Sequence, residues 1–476
     1  MKLVGFVPTA LAVFAMFASV LGVELDITSA TSIGKASALV AQGLMDYYTG
    51  NNSGNSPGMF SPPYYWWEAG VAWGTMLDYG FYNNNDTYNS LVHSSLLYQS
   101  GDYWNYMTFN QTSTEGNDDQ AFWGISAMQA AEKNFTAPGK GWPKTWLYFA
   151  QATWNTMAAR WDDKNCGGGL RWQIYTWNAG YDYKNMVSNG CLFHLAARLA
   201  RFTENSTFVD WSEKIWDWAV SVKFIGPPIN GSHDLRVIDG APIAGNCTTL
   251  HPYEWTYNQG LMMAGCAYLY NYTGDAKWLN RLEDLWGRAQ VFFSNGIMYE
   301  AACMPLNGGT VRCNNDQRCF KGIFSRFLGL TMLMVPQMYD EIMPFIKTSA
   351  EAAAQSCSGG TDGHTCGLDW TVHKWDGYYG LGEQICALDT FNTLLISSKP
   401  AAYTARELYG PPTTDSSTND NNNGTNSVYG YGNAGLNSST VTAQVLNIDT
   451  ADKAGAGILT AVVVIFMICG SAWLIL

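Results

Sequence analysis

The chain has 476 residues, 47% of them hydrophobic and 14% charged, with 39 acidic against 26 basic side chains. A net charge of −13 excludes the electrostatic footprint of a nucleic-acid or anionic-lipid binder, and the apolar fraction excludes disorder over most of the length. Twenty Trp and 27 Tyr load the sequence with rings. Most fill a core, but beside Asn, Gln and Asp such rings also suit sugars, whose C–H faces pack on aromatics while their hydroxyls take hydrogen bonds.

Met1-Lys2, an apolar run from Leu3 to Leu21 and the small Gly22 read as a secretory signal peptide over 1–22, with a transmembrane anchor as the alternative. From 23 to 400 the composition is uniform and core-forming. Apolar residues there recur at the helical period, which predicts helices over about 29–49, 64–80, 86–99, 117–133, 143–160, 184–203, 207–223, 256–272, 276–294, 320–338, 339–356 and 383–397. The expected class is therefore all-α. Twelve helices in sequence make six helical hairpins, which can close into a ring with the even-numbered helices inside. The second carries Trp66, Gly70, Trp73, Gly74 and Leu77 on one face, where repeated Gly points to a closely packed neighbour. The seventh alternates Asp210, Glu213, Lys214 and Asp217 with Trp211, Ile215 and Trp218, as an outer amphipathic helix does.

Residues 401–448 turn to Ser, Thr, Asn and Gly. With almost no aliphatic side chains from Gly410 to Ala443, they read as a disordered stalk. Residues 449–476 combine a small polar spacer with an apolar run from Ile458 to Leu476, the order of a GPI-anchor signal, with a terminal transmembrane helix as the alternative. Asp449, Thr450 or Ala451 would carry the anchor. Asn-X-Ser/Thr sequons stand at Asn51, Asn85, Asn110, Asn134, Asn205, Asn230, Asn246, Asn271, Asn423 and Asn437, as expected of a secreted glycoprotein. Ten Cys precede the tail, an even number that suggests disulfides. Cys303, Cys313 and Cys319 cluster, as do Cys357 and Cys366. No Cys or His spacing suits a metal, and no cofactor motif is present; Cys166-Gly-Gly-Gly lacks the Gly-Lys-Ser/Thr ending of a phosphate loop.

Asp118 and Asp119 open the fourth helix in the run Asn117-Asp-Asp-Gln-Ala-Phe-Trp-Gly124. One reading is an N-cap followed by an acid that favours the helix dipole. The other is a catalytic pair: neighbours on a first turn can set their carboxyls about 5 Å apart, the spacing of a retaining glycosidase. In an apolar setting one carboxyl would hold a proton while its neighbour stays ionised. Polar and aromatic residues gather at the starts of other even helices, at Tyr64 to Glu68, Tyr183 to Asn189, His251 to Gly260 and Trp375 to Gln384. If those starts share one rim, they line one groove. Any one of Glu68, Glu254, Asp376 or Glu383 can equally be a cap or a buried structural acid.

The segment Asn117 to Gly124 resembles the catalytic segment of glycoside hydrolase family 76. Trp66-Trp-Glu-Ala-Gly70, Gly168-Gly-Leu-Arg-Trp172 and Thr256-Tyr-Asn-Gln-Gly260 resemble further segments of that family, so the likeness spans about 24–400. It is strongest to the fungal GPI-anchored wall members, which are mannan endo-1,6-α-mannosidases. The resemblance implies an (α/α)6 barrel, α-1,6-linked mannose as substrate, and a retaining mechanism with Asp118 as nucleophile and Asp119 as general acid/base. The fungal members are also proposed to transfer GPI-anchored proteins, through their mannose-containing glycan as donor, to wall β-glucan as acceptor. Candidate sugar-binding residues are Trp66, Trp67 and Glu68; Asn117, Gln120 and Trp123; Arg171, Trp172, Asn178 and Asp182; Tyr257, Asn258 and Gln259; and Asp376 and Glu383. The rival readings are a carbohydrate-binding wall protein without turnover and an unrelated lyase or inverting glycosidase on the same barrel.

Overall fold

The computed structural model describes residues 22–226, 234–306, 309–400, 402–411 and 429–437, together with 453–454, 457 and 459–467. Residues 1–21 of the expected signal peptide, most of the expected stalk, the sequons at Asn230 and Asn423, and the expected anchor residues Asp449, Thr450 and Ala451 lie outside these. The core is helical: α1 (Ala30–Met45), α2 (Trp66–Tyr82), α3 (Asn89–Tyr98), α4 (Asn117–Glu132), α5 (Trp146–Ala159), α6 (Met186–Thr203), α7 (Thr207–Ser221), α8 (Thr256–Thr273), α9 (Ala276–Ala289), α10 (Phe320–Met334), α11 (Tyr339–Ser356) and α12 (Leu381–Leu394). Each predicted helix is present; most ends are trimmed, while the second and eighth run past their predicted ends and the twelfth starts two residues early. The tenth stops at Met334, because Pro336 forces the chain before it out of the helical region. The ninth stops at Ala289, where a 3₁₀ turn leads into the hairpin β3 (Phe293–Ser294) and β4 (Ile297–Met298).

Even-numbered helices pack on one another in the order α2, α4, α6, α8, α10, α12 and back to α2, which closes an inner ring, and the odd helices lie outside it. This is an (α/α)6 barrel. The inner helices are buried on nearly every side, as α2 is from Trp66 to Tyr79, so they carry apolar or small residues all round. Outer helices keep one apolar stripe. In α9 it is Trp278, Leu282, Leu285, Trp286 and Ala289. In α7 it is Phe208, Ile215, Trp216, Trp218 and Ala219, while Lys214 lies over the rings of Trp161 and Trp211. The glycine face of α2 meets α4: a Cβ at Gly70 would sit 3.0 Å from the Trp123 ring.

The C-terminal halves of the inner helices enclose paired charges. Arg198 donates to Glu132 at 2.6 Å, Lys133 pairs with Asp78 at 2.9 Å, and Arg326 pairs with Asp389 at 2.8 Å. Such charges are tolerated inside a barrel because each has its partner and further hydrogen bonds. That end is thereby filled, and the ring is left open at the helix N-termini.

Disulfides join Cys166–Cys247, Cys303–Cys313 and Cys357–Cys366. Cys319, although close in sequence to Cys303 and Cys313, stays a buried thiol, as do Cys191, Cys266 and Cys386. Two parts of the expected stalk pack on the barrel. Residues 402–411 include α13 (Ala405–Tyr409), whose Arg406 pairs with Glu204. Residues 429–437 lie on α5. Composition misses this because the docking uses backbone carbonyls and Tyr rings, which a count of aliphatic residues does not see.

Candidate active site

The starts of α2, α4, α6, α8 and α10 surround a cleft of about 450 Å³ at the open end of the barrel. Its floor is the first turn of α4. Gly116 precedes that turn, and its N–H donates to Asp119 Oδ2, so this carboxyl also caps its own helix. A Cβ at Gly116 would lie 2.4 Å from Asp118 Oδ1 and 3.0 Å from Asp119 Oδ2. The pair therefore needs glycine at that position. The same turn is stitched to the loop after α5: Asn117 N–H donates to the Trp172 carbonyl at 2.8 Å, and Ile174 N–H to the Glu115 carbonyl at 3.3 Å. That stitching brings the indole of Trp172 to Asp118, where Nε1 donates to Oδ2 at 3.0 Å, while Ser188 Oγ reaches Oδ1 at 3.4 Å.

Electrostatics separates the two acids. Burial raises Asp118 to about 7, against the donors from the α4 amides, Trp172 and Ser188 that favour its charged form. Burial, and then the charge of Asp118 beside it, pushes Asp119 well above the usual carboxylate range. Asp118 is thus the better held as an anion and Asp119 the better proton holder, the division of labour a glycosidase pair requires.

Three acids of the cleft each take an indole N–H at 3.0 Å: Asp118 from Trp172, Asp316 from Trp67 and Asp239 from Trp255. Each ring then presents apolar surface beside an oriented carboxylate, the two things a sugar ring needs. Asp239 also accepts from Tyr183 Oη at 2.6 Å, and antiparallel pairing of β1 (Tyr183–Asn185) with β2 (Gly240–Pro242) holds these two residues together. Tyr257 stacks on Phe320 with centroids 3.8 Å apart, which forms the opposite wall. Glu115 completes the acidic lining. Both its carboxyl oxygens are buried without a hydrogen-bond partner, and burial holds its proton far above the ordinary range.

Of the residues singled out from sequence, Trp66, Trp67, Asp118, Asp119, Trp172 and Tyr257 line the cleft. Others stand behind it. Asn117 and Gln120 both bond Arg160, and Trp123 is stacked between Trp66 and Tyr106 at 5.4 and 5.6 Å. Glu68 accepts from Tyr65 N–H at 2.6 Å and caps α2. Gln259 donates to the carbonyls of Leu235 and Leu285, and Asn258 is buried beside it in α8. Arg171 braces its own loop through Asp162 and the Tyr181 carbonyl. Asn178 meets Gln173, which does line the cleft, and Asp182 is exposed on the turn before β1. Asp376 gathers the N–H groups of Leu368, Asp369 and Tyr378, and Glu383 is buried 3.5 Å from Arg318. The start of α12 thus falls outside the lining. Glu254 pairs with Arg288, again away from it. Asp239 and Asp316 escape the sequence reading because Asp239 sits in a loop ahead of α8 and Asp316 opens a short 3₁₀ turn, Asp316–Cys319, ahead of α10, neither with an α-helical pattern. Their signal was position alone, since Asp316 precedes an inner helix by one turn.

Comparison with known proteins agrees with this geometry. The model of glycosyl hydrolase family 76 matches residues 32–406. The chain is 54% identical over 453 residues to mannan endo-1,6-alpha-mannosidase DCW1 of Saccharomyces cerevisiae, covering 95% of each chain. It is 49% identical over 465 residues to mannan endo-1,6-alpha-mannosidase DFG5 of the same yeast, covering 97% and 96%. Among solved structures, Dfg5 of Chaetomium thermophilum in complex with glucosamine superposes with a TM-score of 0.77 at 36% identity, covering 87% of this chain and 98% of that one. An inactive variant of an α-1,6-mannanase of Salegentibacter shares the fold at a TM-score of 0.60 and 18% identity, covering 76% and 99%. With the family model matched across the whole barrel and relatives about half identical from end to end, the chain belongs to glycosyl hydrolase family 76 and is a glycoside hydrolase.

Proposed function

We propose that this enzyme is an endo-acting, retaining α-1,6-mannosidase that can pass its glycosyl group to a second sugar as well as to water. The observation that carries the reading is the Asp118–Asp119 pair on the floor of an aromatic cleft, with Trp172 donating to Asp118, the more readily ionised of the two, and Asp119 the better proton holder. Asp118 attacks the anomeric carbon as Asp119 protonates the departing oxygen. A covalent mannosyl-enzyme forms, and Asp119 then takes a proton from water or from an acceptor hydroxyl. Transfer needs a site that seats the acceptor and limits water, and the ringed walls from Trp67, Trp255, Tyr257 and Phe320 support it.

A GPI glycan as donor is supported by the lining of the cleft. Asp118, Asp119, Glu115, Asp239 and Asp316 line the cleft, and no Lys or Arg does among its described lining residues. Such a site opposes no cation and offers carboxyl oxygens to an amino group, as a glycan with a free amino sugar requires, and the Chaetomium relative was solved with glucosamine. Wall β-glucan is the acceptor in this reading. Three disulfides and ten sequons support a secreted enzyme, held by a GPI anchor at the outer membrane face or in the wall.

The test is mass spectrometry of products from an α-1,6-mannooligosaccharide, with and without a β-glucan oligosaccharide. A mannose–glucan adduct that disappears in Asp118→Asn is the expected result. Free shorter mannosides alone would leave a hydrolase and remove the transfer. No product from either mixture would overturn the choice of donor.

A further inference from the structure

Residues 429–437 are seated on the outer face of the barrel by side chains that serve no helix of their own. Asn155 on α5 turns its amide outward and donates to the carbonyls of Tyr431 at 3.1 Å, Gly432 at 3.3 Å and Ala434 at 3.1 Å. Gln151, one turn earlier, accepts from Tyr431 N–H at 2.7 Å. The Tyr431 ring meets Tyr148 edge-on at 5.1 Å, and its hydroxyl lies 3.3 Å from Thr145 Oγ1. Ala434 is 3% exposed. Gly435 lies at φ +68° so close to the barrel that a Cβ would come within 2.7 Å of Ala152 Cβ and 2.9 Å of Asn105 Cβ.

From Gly435 the hydrogen bonds run inward to the catalytic turn. Asn105, wholly buried, donates Nδ2 to the Gly435 carbonyl at 3.0 Å and accepts from Met107 N–H at 3.1 Å through Oδ1. The Asn105 carbonyl takes Gln120 Nε2 at 2.6 Å. Gln120 Oε1 takes Arg160 Nη2, and Arg160 Nε donates to Asn117 Oδ1 at 2.8 Å. Asn117 and Gln120 flank Asp118 and Asp119 on the first turn of α4.

We propose that residues 429–437 are a clasp that steadies the catalytic turn, with Gly435, Asn105 and Gln120 as positioning residues for Asp118 and Asp119. With the Gly435 carbonyl gone, the Asn105 amide is left buried without an acceptor and must turn to find one. Turning releases Met107 N–H and moves the backbone that holds Gln120. The carboxyls then lose part of the fixed geometry on which their reaction depends. The C-terminal segment is thus a working part of the catalytic domain.

The test uses the full chain with Gly435→Val, which cannot seat, and separately Asn155→Asp, which keeps the shape and removes the donor to all three carbonyls. Hydrogen exchange is followed by mass spectrometry, and kcat and KM are measured on an α-1,6-mannooligosaccharide. The expected result is faster exchange at 429–437, at 105–107 and at 116–120, with kcat down by at least about tenfold and KM nearly unchanged. Faster exchange at 429–437 with 116–120 and kcat as in the parent would overturn the proposal, as would unchanged exchange at 429–437 in both variants. The kinetic arm rests on the mannosidase reading and the exchange arm does not. A parent inactive on that substrate therefore sinks the substrate choice, while exchange at 116–120 still decides the clasp.

Discussion

At the scale of single residues, the two aspartates differ through what surrounds them. Asp118 faces donors, whereas Asp119 faces the charge of Asp118. Asp118→Asn should abolish turnover and leave the thermal midpoint unchanged or higher, since an amide in that place needs no charge buried. Calorimetry beside a product assay checks both. The acid limb of kcat/KM should fall at a pH well above the ordinary Asp value of about 4, because the nucleophile is inactive below its raised pKa. A limb at or below about pH 4 would assign the nucleophile elsewhere. Asp316 and Asp239 belong to the same scale. Asp316→Ala should lower kcat/KM by roughly 10- to 100-fold, the worth of a hydrogen bond to a charged group at about 1.5–3 kcal/mol.

At the scale of elements, the N-terminus of α4 is the part on which function depends. Its first turn, Gly116 before it and Trp172 beside it form one unit, joined by backbone hydrogen bonds rather than by side chains alone. Gly116→Ala places a methyl group against both carboxyls. It should remove most activity while destabilising the fold by only about 1–3 kcal/mol, the usual range for overpacking. Urea unfolding and the product assay on one preparation separate these effects, and an active Gly116→Ala enzyme would show that the turn tolerates displacement.

At the scale of the whole molecule, the closed end of the barrel holds ion pairs, while Glu68, Glu300 and Glu383 are buried acids that hold protons. Asp389→Ala leaves Arg326 buried beside an empty place, and should cost about 3–5 kcal/mol in urea unfolding although Asp389 is far from the cleft. Glu68 and Glu300 are raised to about 8 and Glu383 to about 7, in each case first by burial. Between the unfolded value of about 4.3 and these folded values, the native state holds protons that the unfolded chain has released. Stability therefore falls as pH rises through that window, and the thermal midpoint should be lower at pH 8 than at pH 5. A rise over that interval would mean that these carboxyls are ionised in the native state.

The sequence by itself determined the helices, their alternation between inner and outer, and the aspartate pair, while Trp66, Trp67, Trp172 and Tyr257 came forward through the family resemblance. These are written locally, in a 3.6-residue period and in short runs whose chemistry depends on neighbours along the chain. Tertiary structure decided which polar residues face the cleft. Glu68 and Asp376 carry the same carboxyl as Asp239 and Asp316, yet the first two serve a helix cap and a loop, while the last two meet indoles at the cleft. A carboxyl cannot show from its position in the chain whether a backbone amide or an open cleft will lie opposite it. The docking of residues 429–437 was hidden for the same reason, because its hydrogen bonds run from barrel side chains to main-chain carbonyls that every residue type possesses.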